Sequence, residues 1–406
     1  MKRSYIEIHT STWEKETHGL FDYEAKYLHK NSFKISNSCT ICRNDQECFV
    51  QPTGTPDGST PLLQVEEKDQ EFNVRMVPSE PEDRLWLVVK GCKNRTKNGY
   101  KLNKGDWIKL GRVQLKVQKI SLRSEENLSN SIPNFFEGFE RDEIDFVKPE
   151  SENHEEKTEN SPCRICLNDN FTELDPLICP CKCSGSMKFI HLNCLKEWLK
   201  SKVSSRVSEK GMSIYLKDLS CEICNSSLPP FIVYQEKQIS LMNLNYPTGN
   251  YIVLEEYKPD KKQKHGFHII TLDEGTHGMV GRGHDCDLKI SDISVSRKHC
   301  KIKFHNSEFF IEDTKSKFGT LARICSGFQV KKNTNVMIQI GRTIFQIIYK
   351  TPWTIKSLCC CASKNKVSND SSFFTVADFR QVKEINERVG VGFSVNQDNY
   401  DSSLNN

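Results

Sequence analysis

The chain has 406 residues, a formal net charge of +4 and 18 cysteines. That length suits two or three domains, because single cores rarely grow beyond roughly 150–200 residues. So small a net charge argues against nucleic acid as the main partner. The charge is uneven: residues 121–160 hold 12 acidic and 4 basic residues, a balance of −8 that leaves +12 elsewhere. Met1-Lys-Arg-Ser-Tyr leads into polar sequence, so no signal peptide is expected. No window reaches the roughly 18–20 apolar residues of a membrane span. The expected location is cytoplasmic, with the nucleus left open. In a reducing compartment, closely spaced cysteines read as metal ligands rather than disulfides.

In chain order, residues 1–71 are polar and weakly periodic and are expected to be poorly structured. From 72 to 120 the pattern turns to β: Phe72–Val77, Leu85–Val89 and Val113–Val117 favour strands, and Asn98-Gly99 and Lys104-Gly105 favour turns. Residues 121–160 form an acidic linker by composition, with Phe135, Phe136 and Phe139 as possible anchors. A cysteine finger fills 161–230, a second β-rich segment 247–350, and a polar tail 351–406. In the tail, Thr375-Val-Ala-Asp378 opens a short helix, 375–389, as a capping box. One internal echo stands out. Trp107-Ile-Lys-Leu-Gly-Arg-Val-Gln-Leu-Lys-Val matches Met337-Ile-Gln-Ile-Gly-Arg-Thr-Ile-Phe-Gln-Ile in pattern and Gly-Arg placement. Residues 72–120 therefore read as a β-rich module, either a structural or interaction module or a degenerate copy of the later β-segment.

The finger's candidate ligands are Cys163, Cys166, Cys181, Cys183, His191, Cys194, Cys221 and Cys224, in four close pairs. A short pair places two ligand atoms on one tight turn, which is half of a tetrahedral zinc shell. Four pairs make two shells, so two Zn2+ ions are expected, supplying much of this small segment's folding free energy. The pairs could join sequentially or interleaved. Cys179, in Cys179-Pro-Cys181, has competing spacing and is read as a spare thiol.

The string Cys163-Arg-Ile-Cys, Pro180-Cys-Lys-Cys-Ser-Gly-Ser, His191-Leu-Asn-Cys-Leu-Lys-Glu-Trp-Leu and Cys221-Glu-Ile-Cys resembles the RING-CH zinc fingers of ubiquitin ligases. The resemblance implies a cross-braced α+β finger, in which Cys163, Cys166, His191 and Cys194 hold one zinc and Cys181, Cys183, Cys221 and Cys224 the other. It implies a ubiquitin-conjugating enzyme as partner, docked through Ile165 and Trp198 with Leu195 and Pro229 as neighbours. A PHD chromatin reader uses the same ligand order but carries an aromatic before its last pair, where Leu219 stands here. Many active RING ligases carry Arg or Lys just after the last ligand; this chain has Asn225. The alternative to a ligase is a non-catalytic scaffold that uses both domains only for binding.

In the second β-rich segment, Gly281-Arg282, Ser296-Arg297-Lys-His299 and Ser316-Lys317-Phe-Gly319-Thr320 stand at strand junctions. A guanidinium grips phosphate bidentately, and hydroxyls and backbone amides complete the shell. Together these groups resemble the forkhead-associated (FHA) domain, a β-sandwich that binds phosphothreonine proteins. The resemblance implies phosphopeptide contacts from Arg282, Ser296, Arg297, Ser316 and Lys317, with Gly281, His299 and Gly319 shaping the loops. Phe318 stands where the family usually has Asn. The earlier β-segment shows no matching Gly-Arg and Ser-x-x-His pair, so no phosphate reading is expected of it.

Two weaker cysteine groups remain. Cys39, Cys42 and Cys48 read as free thiols, and Cys359-Cys-Cys361 gives a membrane contact only if lipidated. The whole is expected to be a mainly β, multidomain protein, and an enzyme through its finger.

Overall fold

The computed structural model describes residues 4–351, apart from 16–18, 53–57, 79–83, 90–98, 124–161, 217–219, 227, 229–230, 235–236, 242–245, 258–264, 326 and 333. The acidic linker beyond residue 123, Leu219, Pro229, Cys359–Cys361 and the helix expected at 375–389 lie outside the described residues.

The first ten strands are β1 (Tyr5–Trp13), β2 (Leu28–Ile35), β3 (Cys39–Asn44), β4 (Glu47–Gln51), β5 (Thr60–Lys68), β6 (Glu71–Met76), β7 (Leu85–Val88), β8 (Tyr100–Lys101), β9 (Trp107–Leu110) and β10 (Val113–Ser121). The finger adds β11 (Leu177–Ile178), β12 (Ile190–His191), helix α1 (Leu192–Ser201), β13 (Val203–Val207) and β14 (Gly211–Leu216), and a small hairpin follows, β15 (Phe231–Tyr234) with β16 (Lys237–Ser240). A second run comprises β17 (Tyr251–Tyr257), β18 (His265–Thr271), β19 (His277–Gly281), β20 (Leu288–Lys289), β21 (Cys300–His305), β22 (Glu308–Asp313), β23 (Thr320–Ile324), β24 (Phe328–Val330), β25 (Asn335–Ile340) and β26 (Thr343–Lys350).

Residues 1–71, expected to be poorly structured, thus carry five strands. The reason is legible in β1, whose buried positions alternate along the strand and include Thr10 and Thr12 beside Ile6 and Ile8. Half of the buried face is polar, which dilutes an apolar period of two. Thr12 Oγ1 meets Thr343 Oγ1 at 3.1 Å inside the core. The internal echo accordingly widens into two ten-strand runs, 5–121 and 251–350.

The described residues form two compact units. One takes residues up to 21, 25–87 and from 323 on; the other takes 22–24 and 88–322. The first unit is a sandwich with β7-β25-β26-β1-β2 as one sheet and β24-β6-β5-β3-β4 as the other. Ile6, Ile8, Ile41, Leu63, Val65, Phe72, Ile338, Phe345 and Ile347 fill the space between them. Cys39 and Cys48 sit in this core, where burial pushes the Cys39 thiol up to about 11, and among the described residues neither belongs to a ligand cluster.

The second unit repeats that plan, with β18-β17-β10-β9-β23 in one sheet and β20-β19-β21-β22-β8 in the other. Its two faces approach closely: a Cβ on Gly278 would lie 2.2 Å from Ile270 Cδ1. Each sandwich is therefore closed by the last three strands of the other run. β8, β9 and β10 complete the second unit, and β24, β25 and β26 complete the first. Of the expected segment 247–350, β17 to β23 fall in the second unit and β24 to β26 in the first, and the expected 72–120 is likewise divided, with β6 and β7 in the first unit and β8 to β10 in the second. The two echoing hairpins turn on Gly111 (φ +61°) and Gly341 (φ +52°), both in the left-handed region that glycine enters without cost.

The finger is built into the second unit. Between ligands Cys194 and Cys221 the chain forms the hairpin β13–β14, and β14 pairs with β18 from Gly211↔Ile270 to Leu216↔His265. Strand β17 is consequently buried along Tyr251–Leu254 on both faces, as a continuous apolar run requires. Tyr251 and Val253 join Phe267 and Ile269 of β18 and Ile214 and Leu216 of β14 in one core with Leu192, Leu195 and Leu199 of α1. Those three leucines recur at helical spacing, and Lys202 continues straight into β13. Among the described residues no helix is long and apolar enough to cross a membrane.

Candidate metal centres and phosphate-binding loops

The first and last ligand pairs of the finger sit on turns of the same build. Leu167 N–H donates to Cys163 O (2.8 Å) and Cys163 N–H to Asn168 O (2.9 Å); Asn225 N–H donates to Cys221 O (2.8 Å) and Cys221 N–H to Ser226 O (2.9 Å). The residue after each pair has a positive φ, +61° at Leu167 and +54° at Asn225. Asparagine enters this region more readily than other non-glycine residues. Asn225 therefore has a local conformational reason to stand at its position.

These turns, the segment 181–183 and the start of α1 bring Cys163, Cys166, His191 and Cys194 into one cluster and Cys181, Cys183, Cys221 and Cys224 into another. Within each cluster the ligand atoms lie within 4.8 Å of one another. The pairs interleave, and Cys179 lies outside both clusters. Cys166 Sγ stands 3.2 Å from His191 Nδ1, and Cys183 Sγ 3.7 Å from Cys221 Sγ. A tetrahedral shell with Zn–S bonds of about 2.3 Å has sulfur–sulfur edges of about 3.8 Å. The two clusters are compatible with two zinc ions. His191 Nε2–H donates to Asn170 O (2.9 Å), which leaves Nδ1 as the coordinating nitrogen.

Burial pushes the Cys163 thiol up, but the N–H groups of Cys166, His191 and Ile165 outweigh it and hold the thiol at about 6. The Ser226 hydroxyl and backbone hold Cys224 at about 6 as well. Arg164, inside the first ligand pair, reaches over to the other cluster. Its Nη1 donates to Cys183 Sγ (3.3 Å) and Cys181 Sγ (3.5 Å), and its Nη2 to Cys221 Sγ (3.6 Å). A permanent cation thus faces the four-sulfur cluster, whose thiolates would otherwise leave a zinc complex with excess negative charge. Sequence reasoning passed over Arg164 because which cluster it meets depends on the interleaving.

Ile165 is 44% exposed and Ile223, at the same position of the Cys221–Cys224 turn, is 53% exposed. Ile223 went unnoticed in the sequence, although Cys163-Arg-Ile-Cys and Cys221-Glu-Ile-Cys match. Trp198 is half-buried against the finger core, with Lys202 Nζ 4.7 Å from its ring centroid, whereas Leu195 is fully buried.

At the other site, three loops of the second sandwich converge. Arg282 is exposed; its Nε donates to Val295 O (3.2 Å) and its backbone N–H to Ser296 O (3.0 Å), leaving the two terminal nitrogens for a ligand. A Cβ on Gly281 would lie 2.3 Å from Arg297 O, so only glycine fits there. His299 is wholly buried: its Nδ1 accepts from Ser296 N–H (3.0 Å), and its Nε2–H donates to Gly319 O (3.0 Å). That imidazole ties the second loop to the third. Ser296 Oγ accepts from Lys317 N–H (3.1 Å), and Arg297 is exposed.

Two residues expected at the phosphate have protein partners of their own. Ser316 is fully buried, and its hydroxyl donates to Asp313, which also accepts from Thr320 Oγ1 (2.9 Å). Its role there is to fold the loop. The Lys317 ammonium lies 3.4 Å from Asp22 Oδ2, and Tyr23 N–H donates to Lys317 O (2.9 Å). A distant segment, 22–24, therefore occupies the side of the third loop that Lys317 was expected to offer. In the first sandwich, Arg43 at the end of β3 donates to Thr343 Oγ1 (3.0 Å).

Comparison with known proteins assigns two domains. A RING-variant domain model matches residues 163–224 and an FHA domain model residues 278–344. The E3 ubiquitin-protein ligase MARCHF7 of Rattus norvegicus is 35% identical over 77 residues, 19% of this chain and 10% of that protein. The ERAD-associated E3 ubiquitin-protein ligase DOA10 of Saccharomyces cerevisiae is 36% identical over 100 residues, 24% of this chain and 7% of that protein. A crystal structure of the FhaA FHA domain complexed with the intracellular domain of Rv3910 is similar over 20% of this chain and 86% of that one, at 21% identity and a TM-score of 0.11. The chain spans about a tenth of the length of the curated relatives it matches.

Proposed function

We propose that this chain, which carries a RING-variant and an FHA domain, is a ubiquitin ligase whose finger docks a ubiquitin-charged conjugating enzyme and whose second sandwich recruits phosphothreonine proteins. The observation that carries the reading is the pair of matched turns presenting Ile165 and Ile223 outward, in a finger whose Trp198 is half-buried. Such apolar groups on rigid, metal-bound turns suit the docking of another protein. The clustered thiols and the imidazole are committed as ligands, and burial pushes the remaining thiol, Cys179, up, so none of these groups serves as nucleophile or general base. Its contribution is positioning: a substrate lysine amine attacks the conjugating enzyme's thioester, the amide bond forms, the C–S bond breaks and the thiol leaves. At the sandwich, Arg282, the Ser296 hydroxyl and Arg297 provide the charge and hydrogen bonds that a phosphothreonine needs.

The test is autoubiquitination by the zinc-loaded full chain with a panel of conjugating enzymes. Transfer that drops at least about tenfold in Trp198→Ala supports the reading. Full activity of that variant, or no transfer by the wild type, overturns it. A second reading, a scaffold that binds without transferring ubiquitin, is favoured by Asn225, which lacks the basic group common in active RING ligases. It predicts conjugating-enzyme binding without transfer.

A further inference from the structure

The hairpin β13–β14 lies between zinc ligands Cys194 and Cys221, and its far side faces the loop that follows Gly281. Four of its side chains reach β19, β20 or the loop joining them. Arg206 Nη2 donates to His284 O (2.9 Å), and Ser208 Oγ lies 2.9 Å from Asp287 O. The Tyr215 hydroxyl donates to Lys289 O (3.2 Å), and Lys210 Nζ to His277 O (3.2 Å) in the strand that leads to Arg282. The approach is tight, since a Cβ on Gly211 would lie 2.5 Å from Asp287 O. From the loop's own side, Arg297 O accepts from Gly283 N–H (2.9 Å) and Gly281 O from Ile290 N–H (2.9 Å).

We infer that this hairpin is a brace: Arg206 and Ser208 are positioning residues that hold the 282–289 loop, and with it Arg282, in its phosphate-binding geometry. The brace rests on the reading of the second sandwich as a phosphothreonine binder. The reasoning is local. The loop is exposed at Arg282, His284 and Asp285, and a bidentate grip on phosphate demands a fixed guanidinium. The hairpin donates to His284 O in the loop and to Lys289 O in β20, and the Ser208 hydroxyl, shared between Gly211 O and Asp287 O, lies between them, so the segment is held from outside at three points. The hairpin is itself held by β18 and by the core it shares with α1. The segment that separates the ligand pairs of the finger thereby sets the shape of the phosphate loop.

The experiment uses the full zinc-loaded chain carrying Arg206→Ala with Ser208→Ala. Amide hydrogen exchange across 282–289 should quicken, and affinity for a phosphothreonine peptide should fall, each by about tenfold for two lost hydrogen bonds. Zinc content should stay at two ions per chain. Arg206→Lys with Ser208→Thr, which restores donors to both carbonyls, should return the affinity to within about twofold of wild type. Unchanged exchange at 282–289 overturns the brace whether or not the wild type binds peptide. Quickened exchange with unchanged peptide affinity overturns its role in positioning Arg282. A wild type that ignores phosphopeptide while the variant's exchange quickens overturns the phosphate reading, and with it the brace's purpose.

Discussion

Leu110 lies opposite Thr320 in antiparallel register, so the strand that leaves the third phosphate loop is paired with a strand of the first run. The same holds on the opposite sheet, where Tyr100 pairs with Ile311. A fragment cut at 247–350 accordingly lacks β8, β9 and β10. It should fail to give dispersed amide resonances. Joining residues 99–121 to 247–322 should restore a folded sandwich, provided the finger hairpin or a polar substitute covers β18. A well-folded 247–350 fragment would show that exchange is unnecessary.

Arg282→Ala should weaken binding of a phosphothreonine peptide by at least tenfold, about 1.4 kcal/mol, because hydrogen bonds to charged groups contribute about 1.5–3 kcal/mol. Its side chain is exposed and makes one bond to the protein, at Val295 O, so the melting temperature should move little. Fluorescence anisotropy with the phosphorylated and unphosphorylated peptide measures the first quantity and calorimetry the second.

Chelating zinc should do more than unfold the finger. Leu195 and Leu199 share a core with Ile214, Phe267 and Ile269, so losing α1 uncovers the outer face of β17 and β18. The second sandwich should lose on the order of 3–5 kcal/mol, roughly 10 °C in melting temperature. Hydrogen exchange on β14 and β18 before and after chelation checks this directly; protection unchanged on both strands would contradict it.

Cys179→Ser should keep two metal ions per chain, whereas Cys181→Ser should lose the ion of the four-sulfur cluster. Cobalt substitution distinguishes the sites, because three sulfurs and one nitrogen give a different visible spectrum from four sulfurs.

Asn225→Gly should be nearly neutral for stability, while Asn225→Ala should cost about 1 kcal/mol, because the residue sits at φ +54°. Replacing it by Arg should raise ubiquitin discharge if the finger is a ligase, at a similar cost in stability. Discharge assays run beside thermal melts separate the two effects.

The finger was legible because its information is local: ligand pairs two or three residues apart specify close pairs of ligand atoms, and eight ligands specify two shells. Its interleaving came with the family resemblance, since spacing alone allows two pairings. The strand exchange was not legible. The hairpin at Leu110-Gly-Arg-Val113 and the hairpin at Ile340-Gly-Arg-Thr343 carry the same local pattern, and pairing partners are chosen by long-range packing. Ser316 and Lys317 show a second limit. Their positions in the third loop could be read, but not the pairing of their side chains with Asp313 and Asp22, since Asp22 comes from the other end of the sequence. β1 was missed because Thr10 and Thr12 occupy core positions.

The exchange also sets an order of events during synthesis. β1 to β7 emerge from the ribosome long before β24, β25 and β26, the strands that complete their sandwich. At about 5–20 residues per second, the interval is on the order of tens of seconds. Until then β1, β6 and β7 each lack a neighbour that the finished sheets supply, and unpaired strand edges are sites of aggregation. The second sandwich, whose last strand is β23, is complete sooner. The nascent chain must therefore carry an open first sandwich past the completion of the finger, so protection by chaperones matters most for the half of the protein that is made first.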